Sequence, residues 1–324
     1  MKNNKKLFIS IEAIMAVMVI AMAFIMLKEN SKKDLHKISV IVPNSNDNQW
    51  TAFKYGLKMA AEDQDTEIFF VSTGNISSAE EETNIIKREI ENGTDALIIK
   101  PVPDNKIENI LKKIDNKIPV MLIGTTASKN KPESMLPVTE PDNYLMGKSL
   151  AEELLKDYNG NITGKTLGII TETSVQEDII NRINGFQDVL KDKDAKISWT
   201  ISGSFKEPEE NTLDKQPKVD IVIALDDQSL VTASGYSAAN NLHGALVYGI
   251  GHSTEAIYYL DTGIIRCLVV PDEFSTGYKS LTETAESLKY YFRKMKDITV
   301  SYTIIRRDEL FSQKNQEIIF TMSQ

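Results

Sequence analysis

Cysteine occurs once and histidine three times in this 324-residue chain. That scarcity leaves little for a metal cage of thiols and imidazoles. The single cysteine, Cys267, sits in the apolar run IRCLVVP, where it reads as a buried strand residue rather than a reactive thiol. A basic excess is also missing. The formal charge is -9, which argues against a nucleic-acid surface, because such a surface needs a positive field to release counterions from phosphate. Catalytic signatures are absent as well: no Gly-x-Ser-x-Gly elbow, no phosphate loop, no zinc-spaced His and Cys, and no Gly-x-Gly-x-x-Gly after the first strand. Carboxylates are abundant but scattered, so the sequence argues no glycosidase pair. Binding without turnover, with no cofactor and no metal, is the reading these absences leave.

A hydrophobic fraction of 41% and a charged fraction of 26% are ordinary for a folded protein, and the length fits two lobes. Residues 1–6 form a lysine-rich leader before an apolar stretch at 7–27, interrupted chiefly by Ser10 and Glu12. About 20 residues at 1.5 Å each span the roughly 30 Å hydrocarbon core, so 7–27 is expected to be a transmembrane anchor. A cleaved signal peptide, for which Ala21-Met22-Ala23 would serve as the cleavage site, is the competing reading. Lys2, Lys5 and Lys6 slightly outweigh Lys28, Lys32 and Lys33 once the amino terminus is added, which places the soluble part on the extracytoplasmic face of the cell membrane. A charged linker follows at 28–37.

Beyond the linker, short β-rich runs alternate with stretches of helical period. Strands are expected at Ile38–Val42, Glu67–Val71, Ala96–Ile99, Val120–Ile123 and Met135–Val138, then at Thr166–Ile170, Lys196–Ile201, Asp220–Leu225, Ala245–Ile250 and Ile264–Val270. Helices are expected through Trp50, Phe53 and Leu57, through Leu150 and Leu154, and at Ile179–Leu190 and Gln228–Asn241. Phe205–Lys218, polar and with two prolines, reads as a surface loop. Such alternation means an α/β fold with parallel sheets covered on both faces.

Six segments in this order carry a resemblance: ALIIKPVPDNKI (96–107), IPVMLIG (118–124), TEPDNYLMGKSLAEEL (139–154), NRINGFQDVL (181–190), IVIALDDQSLVTA (221–233) and VYGIGHS (247–253). Together the chain from Ile38 to Ile305 resembles the type I periplasmic binding proteins, the sugar-binding group. The resemblance implies two doubly wound parallel-sheet lobes joined by three crossovers, with a carbohydrate-like ligand in the cleft between them and a hinge that closes on it. It divides the chain into a first lobe of 38–139 plus 272–299 and a second of 140–271 plus 300–324.

The resemblance also nominates a ligand set. Asp47, counted back from Gly56, matches a ligand position in the first loop, although it also reads as an N-cap. Trp50 matches an aromatic that stacks on sugar, although it also reads as helix core. Arg182 matches an arginine that grips ring or hydroxyl oxygens. Asp226 matches an Asn or Asp ligand, whereas Asp227 is expected to cap the next helix. The sequence departs from the pattern where relatives place acids or an amide: Gly124 and Gly251 stand for two Asp, and Pro271 for a Gln. Either the ligand differs, with Thr125, Thr126 and His252 supplying replacement polarity, or the cleft binds weakly. The implied partners are an ABC transporter permease or, alternatively, a membrane histidine kinase. A repressor-type regulator would need about 50 residues of helix-turn-helix before Ile38, where the apolar stretch lies, and is rejected.

Overall fold

The computed structural model describes residues 14–22, 35–124, 136–173, 176–203, 213–290 and 293–322. Residues 1–35 form one unit and His36–Gln324 another. In the first, residues 14–22 form a helix, α1, whose Ile14, Val17, Val19 and Ile20 are all exposed. Among the described residues no helix is long and apolar enough to cross a membrane. The rest of the expected anchor at 7–27 lies outside the described residues, as do Thr125, Thr126 and much of the loop at 205–218.

The second unit contains two six-stranded sheets. The first uses β1 (His36–Ile41), β2 (Thr66–Phe70), β3 (Ala96–Ile99), β4 (Val120–Ile123), β5 (Val138–Pro141) and β11 (Ile298–Val300), in the order β11-β5-β4-β3-β1-β2. The second uses β6 (Thr166–Thr171), β7 (Lys196–Ser202), β8 (Ile221–Ala224), β9 (Leu246–Ile250), β10 (Ile265–Pro271) and β12 (Tyr302–Ile305), in the order β12-β10-β9-β8-β6-β7. All pairings are parallel except β10 with β12, which is antiparallel. The fifth strand starts at Val138, three residues later than the sequence led us to expect.

Burial on both faces explains the apolar runs. Along β8, Val222 and Ala224 feed one core while Ile221 and Ile223 feed the opposite one, as period-2 geometry requires. In the first lobe Ile38 and Val40 pack under helices α2 (Thr51–Gln64) and α9 (Glu273–Lys289). On the other face, Ile41 packs with α3 (Ala79–Glu91) and α4 (Asn105–Asp115). The second lobe is covered by α5 (Asn143–Asp157) and α6 (Glu177–Leu190) on one face, with α7 (Asp227–Ala238) and α8 (Thr254–Asp261) on the other. The last helix is α10 (Gln313–Met322). Cys267 is buried in β10, and desolvation pushes its thiol up to about 12.

The chain passes between the sheets three times: from β5 to α5, from β10 to α9, and from β11 to β12. Two of these passages use the same device. Pro141-Asp142 and Pro271-Asp272 each end a strand, and the aspartate then caps the next helix, accepting from Leu145 N and Ser275 N at 2.9 Å. Asp272 N also donates to Ser301 O (3.1 Å), which ties the second passage to the third.

Each lobe packs one helix pair through glycines. A Cβ on Gly147 of α5 would come within 2.0 Å of the Arg182 carbonyl of α6, and one on Gly185 within 2.0 Å of the Tyr144 carbonyl. Gly56 and Gly277 do the same for α2 and α9, at 2.1 and 2.2 Å. Because backbone cannot yield as a side-chain tip can, Gly147→Ala is expected to cost about 1–3 kcal/mol, read as a lower urea midpoint at unchanged slope. A midpoint equal to wild type would show that α5 and α6 slide apart freely.

Candidate ligand cleft

In both sheets the strand order reverses beside the lobe's first strand: β1 lies between β2 and β3, and β6 between β7 and β8. Loops leaving the carboxyl ends of strands diverge at such a point and leave a crevice. The two crevices face each other across a cavity of about 480 Å³, a volume suited to a small molecule. Among its lining residues, Asn44 and Lys100 follow β1 and β3, Glu172 follows β6, and Asp226 follows β8.

Of the expected ligand residues, Trp50, Arg182, Asp226 and His252 meet at this cavity. Asp47 does not line it. It holds the N-cap position of the short 3-10 helix Asn48–Trp50 without a side-chain cap bond, and its charge acts on Lys54 instead. The same turn presents Asn44 and Gln49 to the cavity. Trp50 packs as core, only 7% exposed, with its ring edge-on to Phe53 at 5.7 Å and its indole N–H donating to Pro43 O (3.0 Å), and it also forms part of the cavity wall.

Arg182 is held by two hydrogen bonds, Nε to Asn143 Oδ1 (2.9 Å) and Nη1 to Leu225 O (2.7 Å). These fix the plane of the guanidinium before any ligand arrives. Asp226 proves to be the cap of α7: its Oδ1 accepts from Ser229 N (2.9 Å) and its Oδ2 from Glu172 N (2.7 Å). Burial pushes its carboxyl above the ordinary range, against the hydrogen bonds from Ser229, Glu172 and Thr171. Asp227, the expected cap, instead reaches across the loop after β9, where its Oδ1 accepts from His252 N (2.7 Å) and Ser253 N (2.8 Å). The cap is therefore Asp226 rather than Asp227, because Asp226 has the extended backbone an N-cap needs, and both aspartates line the cavity.

The two glycines that replace acids have physical explanations. At Gly251 a Cβ would come within 2.7 Å of Asp227 Oδ1, so the space is already filled by a carboxylate from the neighbouring loop. Gly124, with a left-handed φ of 70°, has the Lys100 ammonium as the nearest atom to its missing Cβ, at 3.6 Å. Lys100 in turn pairs with Asp178 at the start of α6. A carboxylate from another position thus stands at Gly251, whereas an ammonium paired with a carboxylate stands next to Gly124. Lys100 and Asp178 were not among the residues nominated by sequence. The signal for Lys100 was present, since it directly follows the strand run Ala96–Ile99, as Asp226 nearly follows its own. Asp178 carried no comparable signal. Among the described residues no cluster of His, Cys, Asp and Glu is arranged to hold a metal ion.

The model of the periplasmic binding protein domain matches residues 38–290. The chain belongs to that family. Its members are binding proteins rather than enzymes. Solved structures agree on the fold. A carbohydrate transporter solute-binding protein from Agrobacterium radiobacter, in complex with D-arabinose, superposes with a TM-score of 0.75 at 18% identity, over 89% of this chain and 100% of that one. GanP, a glucose-galactose binding protein from Geobacillus stearothermophilus, gives 0.70 at 21%, over 86% and 100%. The XylFII-LytSN complex gives 0.69 at 15%, over 85% and 98%. Among curated proteins, none matches this binding protein in sequence.

Proposed function

We propose that this binding protein is a membrane-anchored, extracytoplasmic receptor for a sugar or sugar-like molecule, held between the lobes and passed to an ABC-type transporter. The observation that supports it most is the cavity between the two sheets, where Arg182, Trp50, Asp226 and His252 converge at strand ends. A planar cation, a flat apolar ring and amide or carboxylate acceptors suit a ligand with hydroxyls on an apolar ring frame. Structural neighbours in complex with D-arabinose support the same ligand class. Thr125, as the residue after Gly124, and Asp47, from the turn that carries Asn44 and Gln49, complete the proposed set. The apolar run 7–27 is the proposed anchor, supported by the all-round apolar exposure of α1.

A second reading, a ligand-sensing subunit that signals to a membrane histidine kinase, is supported by the likeness to the chain in the XylFII-LytSN complex. In both readings the ligand acts by binding one arrangement of the lobes better than the other. A thermal-shift screen of the unit His36–Gln324 against monosaccharides, oligosaccharides and polyols tests the shared part. A true ligand at 100 times its Kd is expected to add about 2.7 kcal/mol of stability. No shift with any sugar would remove the sugar assignment.

A further inference from the structure

Contacts cross the cleft directly. Lys100, on the first lobe, places Nζ 3.4 Å from Asp178 Oδ2 on the second. His252, on the second lobe, donates from Nε2 to the carbonyl of Gln49 on the first, at 3.1 Å. Both pairs lie in the wall of the cavity.

The ion pair is held from both sides. Lys100 is 25% and Asp178 12% exposed in their side chains, so water screens them only in part. Asp178 Oδ1 accepts from Ile179 N (2.9 Å), and Arg182 lies close enough to act on its charge. Burial pushes the Asp178 carboxyl up, but Lys100, Arg182 and the Ile179 amide outweigh it and hold it below the ordinary range. On the other lobe, the room for the ammonium is next to Gly124, where a side chain is missing. Glycine there, lysine after β3 and aspartate at the start of α6 form one arrangement.

We infer that Lys100 and Asp178 are an inter-lobe latch: their ion pair, with His252–Gln49 beside it, holds the cleft closed in the absence of ligand. The inference rests on reading the space between the lobes as the ligand cleft. It deepens that reading by making closure partly independent of what fills the cleft. A ligand then adds to a closed state that is already populated, and salt weakens that state by screening the pair.

The test measures lobe separation in the full chain without ligand. Cys267 is buried, so dyes attach to cysteines introduced at two exposed positions, Glu91→Cys in the first lobe and Lys191→Cys in the second. Energy transfer between the dyes is recorded for this parent and after adding Lys100→Met, Asp178→Asn or Lys100→Arg. Lys100→Met and Asp178→Asn are expected to lower the closed-to-open ratio about tenfold, between the ranges for exposed and for buried pairs. Lys100→Arg should keep it near the parent's value. Raising salt should open the parent and leave Lys100→Met unchanged. Urea midpoints check that each variant is folded. An unchanged distance distribution in folded Lys100→Met, or equal salt responses in parent and variant, would overturn the latch. No ligand enters the measurement, so a failed sugar screen leaves this test intact, and failure of the latch leaves the sugar reading standing.

Discussion

Arg182→Ala is expected to weaken binding of the cleft's ligand by about 100-fold, equivalent to about 2.8 kcal/mol. The size follows from two features of the residue. A hydrogen bond from a charged fork to a hydroxyl or ring oxygen is among the stronger polar contacts, particularly where the site excludes water. The fork is also positioned in advance by Asn143 Oδ1 and Leu225 O, so little rotamer freedom remains to be lost on binding. Arg182→Lys keeps the charge but loses the planar fork and its fixed plane, and about tenfold weaker binding is expected. Calorimetric titration with a ligand from the sugar screen measures both. Because the Leu225 carbonyl and Asn143 lose a partner in the alanine variant, a fall in urea midpoint is expected as well. Lost stability with unchanged affinity would mean that Arg182 only ties α5, α6 and the end of β8 together.

What could be read in the sequence, and what could not, follows from the range of each signal. The strands β3, β4 and β8 were legible because both faces are buried, so four consecutive apolar residues such as Ala96–Ile99 or Ile221–Ala224 stand out. The strands β11 and β12 are three and four residues long and partly exposed, and they exist because β5 and β10 lie beside them. The run ITVSYTII at 298–305 is rich in β-formers and readable as extended chain, but nothing local announces that it divides between two sheets. The site divides in the same way. Arg182, Trp50 and His252 were nominated because each sits in or beside a recognisable segment, and the fold brings them to one cavity. Which of Asp226 and Asp227 caps the helix turns on backbone angles at one residue, which adjacent identical side chains cannot reveal. Lys100 and Asp178 are 78 positions apart and meet only because the lobes face each other. The same geometry changes the meaning of Gly124 and Gly251. From the sequence they look like lost ligand carboxylates, whereas in the structure each leaves room for a charged group from another loop.

Glu82→Gln is expected to stabilise the protein above neutral pH by up to the order of 3 kcal/mol and to leave it nearly unchanged near pH 4.5. Glu82 on α3 is fully buried; its Oε2 accepts from Val102 N (3.2 Å), and its Oε1 has no partner among the described residues. Burial raises its pKa from 4.5 to about 7, the Val102 amide opposes the shift, and Asp104 adds to it. A carboxyl with a raised folded pKa binds its proton in the native state over a window in which the unfolded chain has already released it. Stability is therefore greatest below about 4.5 and falls as pH rises through about 7, beyond which the penalty is complete. Glutamine remains neutral throughout, keeps an acceptor for Val102 N, and puts a donor where Oε1 stands alone. Urea unfolding of both proteins at pH 5 and pH 8 measures the difference, which should be several times larger at pH 8. Because Pro101, Val102 and Pro103 line the ligand cleft, the same comparison made on ligand affinity shows whether this loop follows the charge behind it. A stability difference equal at the two pH values would mean that Glu82 stays ionised in the fold, with water reaching Oε1 behind the loop.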